Sequence, residues 1–231
     1  MKIISVLLGI TSFVLISSGA RAAEQDPSLD FYLHSVEVKD DVDVPELDTF
    51  SFDANCVENS AVFSIEGLSE IPIDEIINIG TKVWTLIEKN RPVVSSQLAS
   101  ASAMPAGIKC WQTLENWSAP KAKSYRYSYK NLFGVTVIDF EFKVVYSYGG
   151  QLDGKGKYLT NVQVLPTHVE VAWGYTFNAV AKIQAPINLG NGVNPVAGLE
   201  SQMTWTIDTV VKHLDQSQPV FVTGNGEITT L

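Results

Sequence analysis

The amino-acid sequence predicts a mainly β fold: a long-stranded antiparallel meander forming a β-sandwich or a partly open barrel, with one amphipathic helix packed on it. Three observations predict it. The first is alternation in the second half of the chain. In 135–148 the even positions include Ile138, Phe140, Phe142, Val144, Tyr146 and Tyr148, and the odd ones include Asp139, Glu141, Lys143 and Ser147. In 169–181 the odd positions include Val169, Val171, Trp173, Tyr175, Phe177 and Ala179. Side chains that change face at every residue mark half-buried antiparallel strands. The second is consistency: three turns placed independently all keep the apolar face continuous, whereas a one-residue slip would invert a strand. The third is length. Strands of about 12–14 residues span roughly 40–48 Å, and one helix of about 18 residues, roughly 27 Å long, cannot cover a sheet of them. The sheet must curl or gain a second layer to avoid a large exposed apolar patch.

Taken in order, residues 1–22 read as a signal peptide. Lys2 starts it, residues 3–16 form an apolar core, and Ala20-Arg21-Ala22 gives the cleavage pattern. Residues 23–45 read as an N-terminal tail and acidic loop, with a short strand over 34–38. Residues 46–231 read as a single β-rich domain. Strands are expected at 50–52 and 60–65, then the helix at 72–90. Ile73, Ile76, Ile77, Gly80, Val83, Trp84 and Ile87 fall on one stripe of a 3.6-residue period. Ser69 is its candidate N-cap, Pro72 suits its first turn, and Asn90-Arg91-Pro92 ends it. Gly80 in the stripe marks close contact with the sheet. A short strand follows at 93–97, and Ala/Ser-rich 99–106 reads as irregular.

The meander comes next. A turn at 131–134 sets Tyr127 opposite Ile138 and Tyr125 opposite Phe140. An Asp153-Gly154 turn sets Tyr148 against Tyr158, Val144 against Val162 and Phe142 against Val164. A third turn at Pro166-Thr167 sets Val162 against Val171. After a loop over 186–198, a long strand carries Leu199, Met203, Trp205, Ile207 and Val211 on one face, and a short strand over 220–223 closes the chain.

Cys56 and Cys110 are the only cysteines. Export and an even count predict a disulfide between them, which would stabilise by roughly 4 kcal/mol in the chain-entropy view. The net charge is −9, and −11 once Lys2 and Arg21 leave with the signal peptide. That acidity argues against nucleic acid and against anionic membrane surfaces as partners. No apolar segment after the signal peptide is long enough for a transmembrane helix.

Motifs for catalysis and cofactors fail on inspection. Residues 149–156 nearly spell a phosphate-binding loop, but Gly156 stands where a Ser or Thr should hold magnesium, and a strand follows where a helix should. His34, His168 and His213 fit no metalloprotease pattern, and no serine elbow exists. Asp40, Asp41, Asp43, Glu46 and Asp48 lack the spacing and glycine of a calcium loop. Asp139 and Glu141 read as an exposed sheet face, and Asn116-Trp117-Ser118 is a glycosylation sequon whose use depends on the host. No cofactor and no metal is expected. An aromatic set, Trp173, Tyr175, Trp205 and Tyr127, falls on the inferred apolar face, as core or as the lining of a small apolar ligand site.

The expectation is therefore an exported protein, periplasmic or secreted, with a non-enzymatic binding or envelope-scaffold role toward an unknown protein or a small apolar ligand. The alternatives are a membrane-associated or pore-forming β-barrel-like protein, and a hydrolase without a recognisable motif.

Overall fold

The computed structural model describes residues 31–40, 72–93 and 99–231. They form two antiparallel sheets, and no α-helix occurs among them. The strands are β1 (Leu33–Asp40), β2 (Ile76–Gly80), β3 (Val83–Glu88), β4 (Arg91–Pro92), β5 (Ala101–Pro105), β6 (Lys121–Asn131) and β7 (Thr136–Leu152). They continue as β8 (Lys155–Val171), β9 (Thr176–Ile183), β10 (Ile187–Asn188), β11 (Ala197–Asp208), β12 (His213–Thr223) and β13 (Ile228–Thr230). Sheet I runs β1-β6-β7-β8-β5-β2. Sheet II runs β13-β12-β11-β9-β3-β4, with β10 also on β11. The sheets do not close into a barrel.

The alternation sets which face each strand buries. From sheet I, Tyr125, Tyr127, Tyr129, Ile138, Phe140, Phe142, Val144 and Tyr146 turn inward; from sheet II, Phe177, Ala179, Leu199, Met203, Trp205 and Ile207 do, and all are buried. The sheets lock through rings and polar tips. Tyr127 lies 4.6 Å from Trp205 and Phe140 4.9 Å from Phe177, centroid to centroid. The Trp205 indole N–H donates to the Tyr129 hydroxyl at 2.8 Å, and the Tyr146 hydroxyl donates to the Gly226 carbonyl at 3.1 Å. Burial pushes the Tyr129, Tyr146 and Tyr158 phenols up to about 12. These tyrosines act as core residues with a satisfied polar end.

The expected helix at 72–90 is not formed: the segment makes β2 in sheet I and β3 in sheet II. The segment is rich in β-branched Ile, Val and Thr, which pack better on a pleated surface than in a helix. Gly80 sits at φ +112°, far from helical values, and a Cβ there would lie 2.2 Å from the Ser100 carbonyl oxygen. It is the bend where the chain leaves one sheet for the other. Lys89 and Asn90, both at positive φ, make the two-residue turn into β4 that right-handed strand twist favours. Residues 101–105, expected to be irregular, form β5, and every one of them is buried.

Register departs from expectation at two turns, by two residues along most of each ladder and by one beside the β7–β8 turn, where Tyr148 faces Leu159 and not Tyr158. Tyr127 faces Phe140 and Tyr125 faces Phe142; Val144 faces Val164 and Phe142 faces Pro166. The two-residue offsets keep the faces, and the irregularities between Val145 and Ser147 and between Tyr148 and Gly150 absorb the odd step, so the core assignment survives. Asp153 and Gly154 do form the β7–β8 turn, both at positive φ. The third turn does not exist. β8 runs unbroken through Pro166-Thr167, and the ladder skips Thr167 between Pro166 and His168. The Pro–Thr pair is a β-bulge, which tolerates the missing N–H. Val162 and Val171 therefore lie on one strand and are not cross-strand neighbours.

The outward face of sheet I also differs from expectation. Asp139, Glu141 and Glu170 are partly or largely exposed, but Ser124, Lys143, Val145, Ser147, Asn161 and Gln163 are buried. The signal peptide, the acidic loop from Asp41 on, the strands at 50–52 and 60–65, Ser69 and most of the 93–97 strand lie outside the described residues, as does the domain boundary at 46.

Candidate functional site: an apolar end built from hairpin turns

Four turns gather at one end of the sandwich. β6 and β7 join through 132–135, β8 and β9 through 172–175, β11 and β12 through 209–212, and β3 and β4 through Lys89-Asn90. The ladders fix their common location. Ile138 pairs with Val171, Thr176 with Asp208, and the Asn90 backbone N–H donates to the Phe177 carbonyl at 3.0 Å. β1 starts at the same end, since Leu33 pairs with Asn131.

Apolar side chains crown this end. Trp173 is 90% exposed, Val210 77% and Val135 57%; Leu132, Phe133 and Val211 are exposed as well. Scattered apolar exposure is ordinary, but a concentration on adjacent turns is not. Among the residues of these four turns there is no Asp or Glu, and Lys89 and Lys212 are the charges. Glu88 and Asp208 flank these turns, whereas the opposite end carries Asp153 and Glu227 within its turns and Lys155 and Glu115 beside them, and Ile187, Leu189 and Val193 are exposed there along a single segment.

Each turn is held from within. The Asn131 side-chain oxygen accepts from the Phe133 and Val135 backbone N–H groups, both at 3.0 Å, and the Gly134 N–H donates to the Asn131 carbonyl. The Thr209 hydroxyl oxygen accepts from the N–H groups of Val211 and Lys212 at 3.3 and 2.9 Å. Asn and Thr side chains commonly close turns this way. At 172–175, the Tyr175 N–H returns to the Ala172 carbonyl at 3.3 Å, and Gly174 sits at φ +87°. A Cβ on Gly174 would meet the Phe31 ring at 2.2 Å; Phe31 packs there against Trp173 and Tyr175 at 6.3 and 6.0 Å. The Asn90 amide ties the β3–β4 turn to Tyr175 and Phe177.

Polar groups sit behind the crown. His213 Nδ1 pairs with Asp208, and Nε2 with Asp215 at 3.1 Å. The hydrogen bond with Asp208, reinforced by Asp215, raises the imidazole above its ordinary value. On sheet I, Asp139 takes Arg126 and the Ser128 hydroxyl, with His168 at 3.8 Å and Glu170 beyond it. The Arg126 hydrogen bond is the main reason the Asp139 carboxyl titrates below its usual range. Both ring nitrogens of His213 are taken by carboxylates, which leaves none to activate a nucleophile. Among the described residues no group of His, Cys, Asp and Glu has metal-binding geometry.

The four aromatic residues expected to act together are divided. Tyr127 and Trp205 are in ring contact deep in the core, and Tyr175 is buried near the turn end. Trp173 points out at the tip of its turn. Alternation continues in phase through 172–175, so the sequence disguised a turn as a strand interior. Gly174 was the available signal for it. A separate cleft of about 230 Å³ opens between the sheets, lined by Trp84, Leu86, Val93, Ala99 and Val164–Pro166. It is smaller than the roughly 300–1,000 Å³ usual for small-molecule sites. Cys110 is buried, and no described cysteine is free; Cys56 lies outside the described residues.

Comparison with protein-family models, with curated proteins and with solved structures finds no match.

Proposed function

We propose that this chain is an exported, non-enzymatic β-sandwich that works as a binding module, meeting its partner through the apolar turn end. The carrying observation is the concentration of Trp173, Val210, Val135 and their neighbours on adjacent turns that contain no carboxylate. Water contact at such a surface is costly, and covering it is favourable by about 25 cal/mol per Å² of apolar area. The internally closed turns support the same reading, since they present these side chains at fixed positions and reduce the ordering cost of binding. Export rests on the 1–22 leader, and the bridge between Cys56 and Cys110 belongs to the same proposal. Hydroxyl-radical footprinting of Trp173 and Phe133 tests the reading: oxidation in cells that export the protein is compared with oxidation of the purified chain. Protection in cells is expected. Equal oxidation in both samples overturns it.

A further inference from the structure

We infer that the apolar end inserts into the interfacial layer of a phospholipid surface, with Trp173 and the 132–135 and 209–212 turns as its membrane-facing parts. The inference rests on the binding role proposed above and names the partner. Its first support is shape. The apolar groups stand on three separate turns, 132–135, 172–175 and 209–212, rather than along one strand face. A protein partner would need a matched pocket for each, whereas a fluid interface closes around all of them.

The second support is the backbone. A loop entering an apolar medium must carry its N–H and C=O groups already paired, because each unpaired group there costs several kcal/mol. The Asn131 amide oxygen takes the Phe133 and Val135 N–H groups and the Thr209 hydroxyl takes those of Val211 and Lys212, so part of that pairing is in place at these two tips. Solvent could serve these N–H groups equally well on an ordinary exposed turn.

Residue chemistry is the third support. Trp is favoured at the headgroup level, where its ring is partly apolar and its N–H stays wet. The chain's net charge of −9 opposes approach to anionic lipid, yet the four turns bear only Lys89 and Lys212. Attachment is therefore driven by apolar insertion rather than by charge.

The test uses the folded mature protein and phosphatidylcholine vesicles, with and without about one-third phosphatidylglycerol, in flotation and tryptophan-emission assays. The wild type should float with phosphatidylcholine vesicles, shift its emission to the blue, and keep both behaviours in high salt. Trp173→Ser and Val210→Ser should each lower the partition coefficient roughly tenfold, the scale set by removing one large apolar side chain from the contact. Val193→Ser, at the opposite end, should leave it unchanged, and circular dichroism confirms that each variant is folded. Failure of the wild type to bind either vesicle overturns the inference, as does binding that the tip substitutions do not weaken. Footprint protection in cells without vesicle binding would retain the binding end and assign it to a protein. Loss of both would remove the binding role itself.

Discussion

The contact that joins the sheets most specifically is the hydrogen bond from Trp205 in β11 to Tyr129 in β6, and a double-mutant cycle isolates it. Both residues are buried, at 2% and 3% exposure, so neither polar atom recovers water when its partner is removed. Tyr129→Phe leaves the indole N–H buried without an acceptor and should cost about 1–3 kcal/mol. Trp205→Phe strands the phenol and also removes part of a ring packed on Tyr127 and Phe140. Its cost should be larger, about 2–4 kcal/mol. In the double variant neither unmet group remains, so its cost should fall short of the sum by about 1 kcal/mol. Urea titration gives each value, provided the slope is unchanged among variants. Additivity within about 0.5 kcal/mol would refute the bond as a link between the sheets.

Two further outcomes rest on the packing, and a third on the cysteine count of the sequence. Gly80→Ala should destabilise by about 2 kcal/mol or more, through positive φ and the approach of its Cβ to the Ser100 carbonyl; an unchanged urea midpoint would contradict the bend between sheets. Burial raises the Tyr129, Tyr146 and Tyr158 phenols to about 12 in the folded chain, against about 10 when unfolded. The stability linked to their protonation is thus complete below pH 10 and is lost as pH rises through 12, so the urea midpoint should fall over that window. All eight tyrosines ionising near pH 10 with the fold intact would contradict this. Alkylation of the unreduced, denatured mature protein should leave Cys56 and Cys110 unmodified in mass spectrometry, and two alkylated thiols would disprove the bridge.

The strands were legible where side-chain parity was long and uninterrupted. Phe140, Phe142 and Val144 had to share a buried face whatever the register, and the two-residue offsets at these positions left that result intact. The helix was misread because one stripe can be written by two short strands. Ile76–Gly80 and Val83–Glu88 lie in different sheets, and the bend between them happens to preserve a spacing near 3.6. Its β-branched content was the better guide. β5 was invisible because Ala101, Ser102 and Ala103 carry little pattern; tertiary pairing with β8 and β2 makes them a strand. The candidate site was legible only in pieces. Trp173, Val210 and Phe133 are far apart in sequence, and only the ladders bring their turns to one end.

An open sandwich has four free edges, and each is a row of unpaired backbone groups on which another chain could add a strand. Among the described strands those edges are β1, β2, β4 and β13. β4 is two residues long and includes Pro92, which has no N–H to offer; β13 is three residues long, and β2 stops after five at Gly80. β1 is the longest at eight, and it carries Glu37 and Lys39, which form an ion pair. Charged, truncated or proline-blocked borders make poor templates for strand addition. Among its described strands, a chain this rich in Tyr, Phe and Val thus offers its own copies few open ladders to extend.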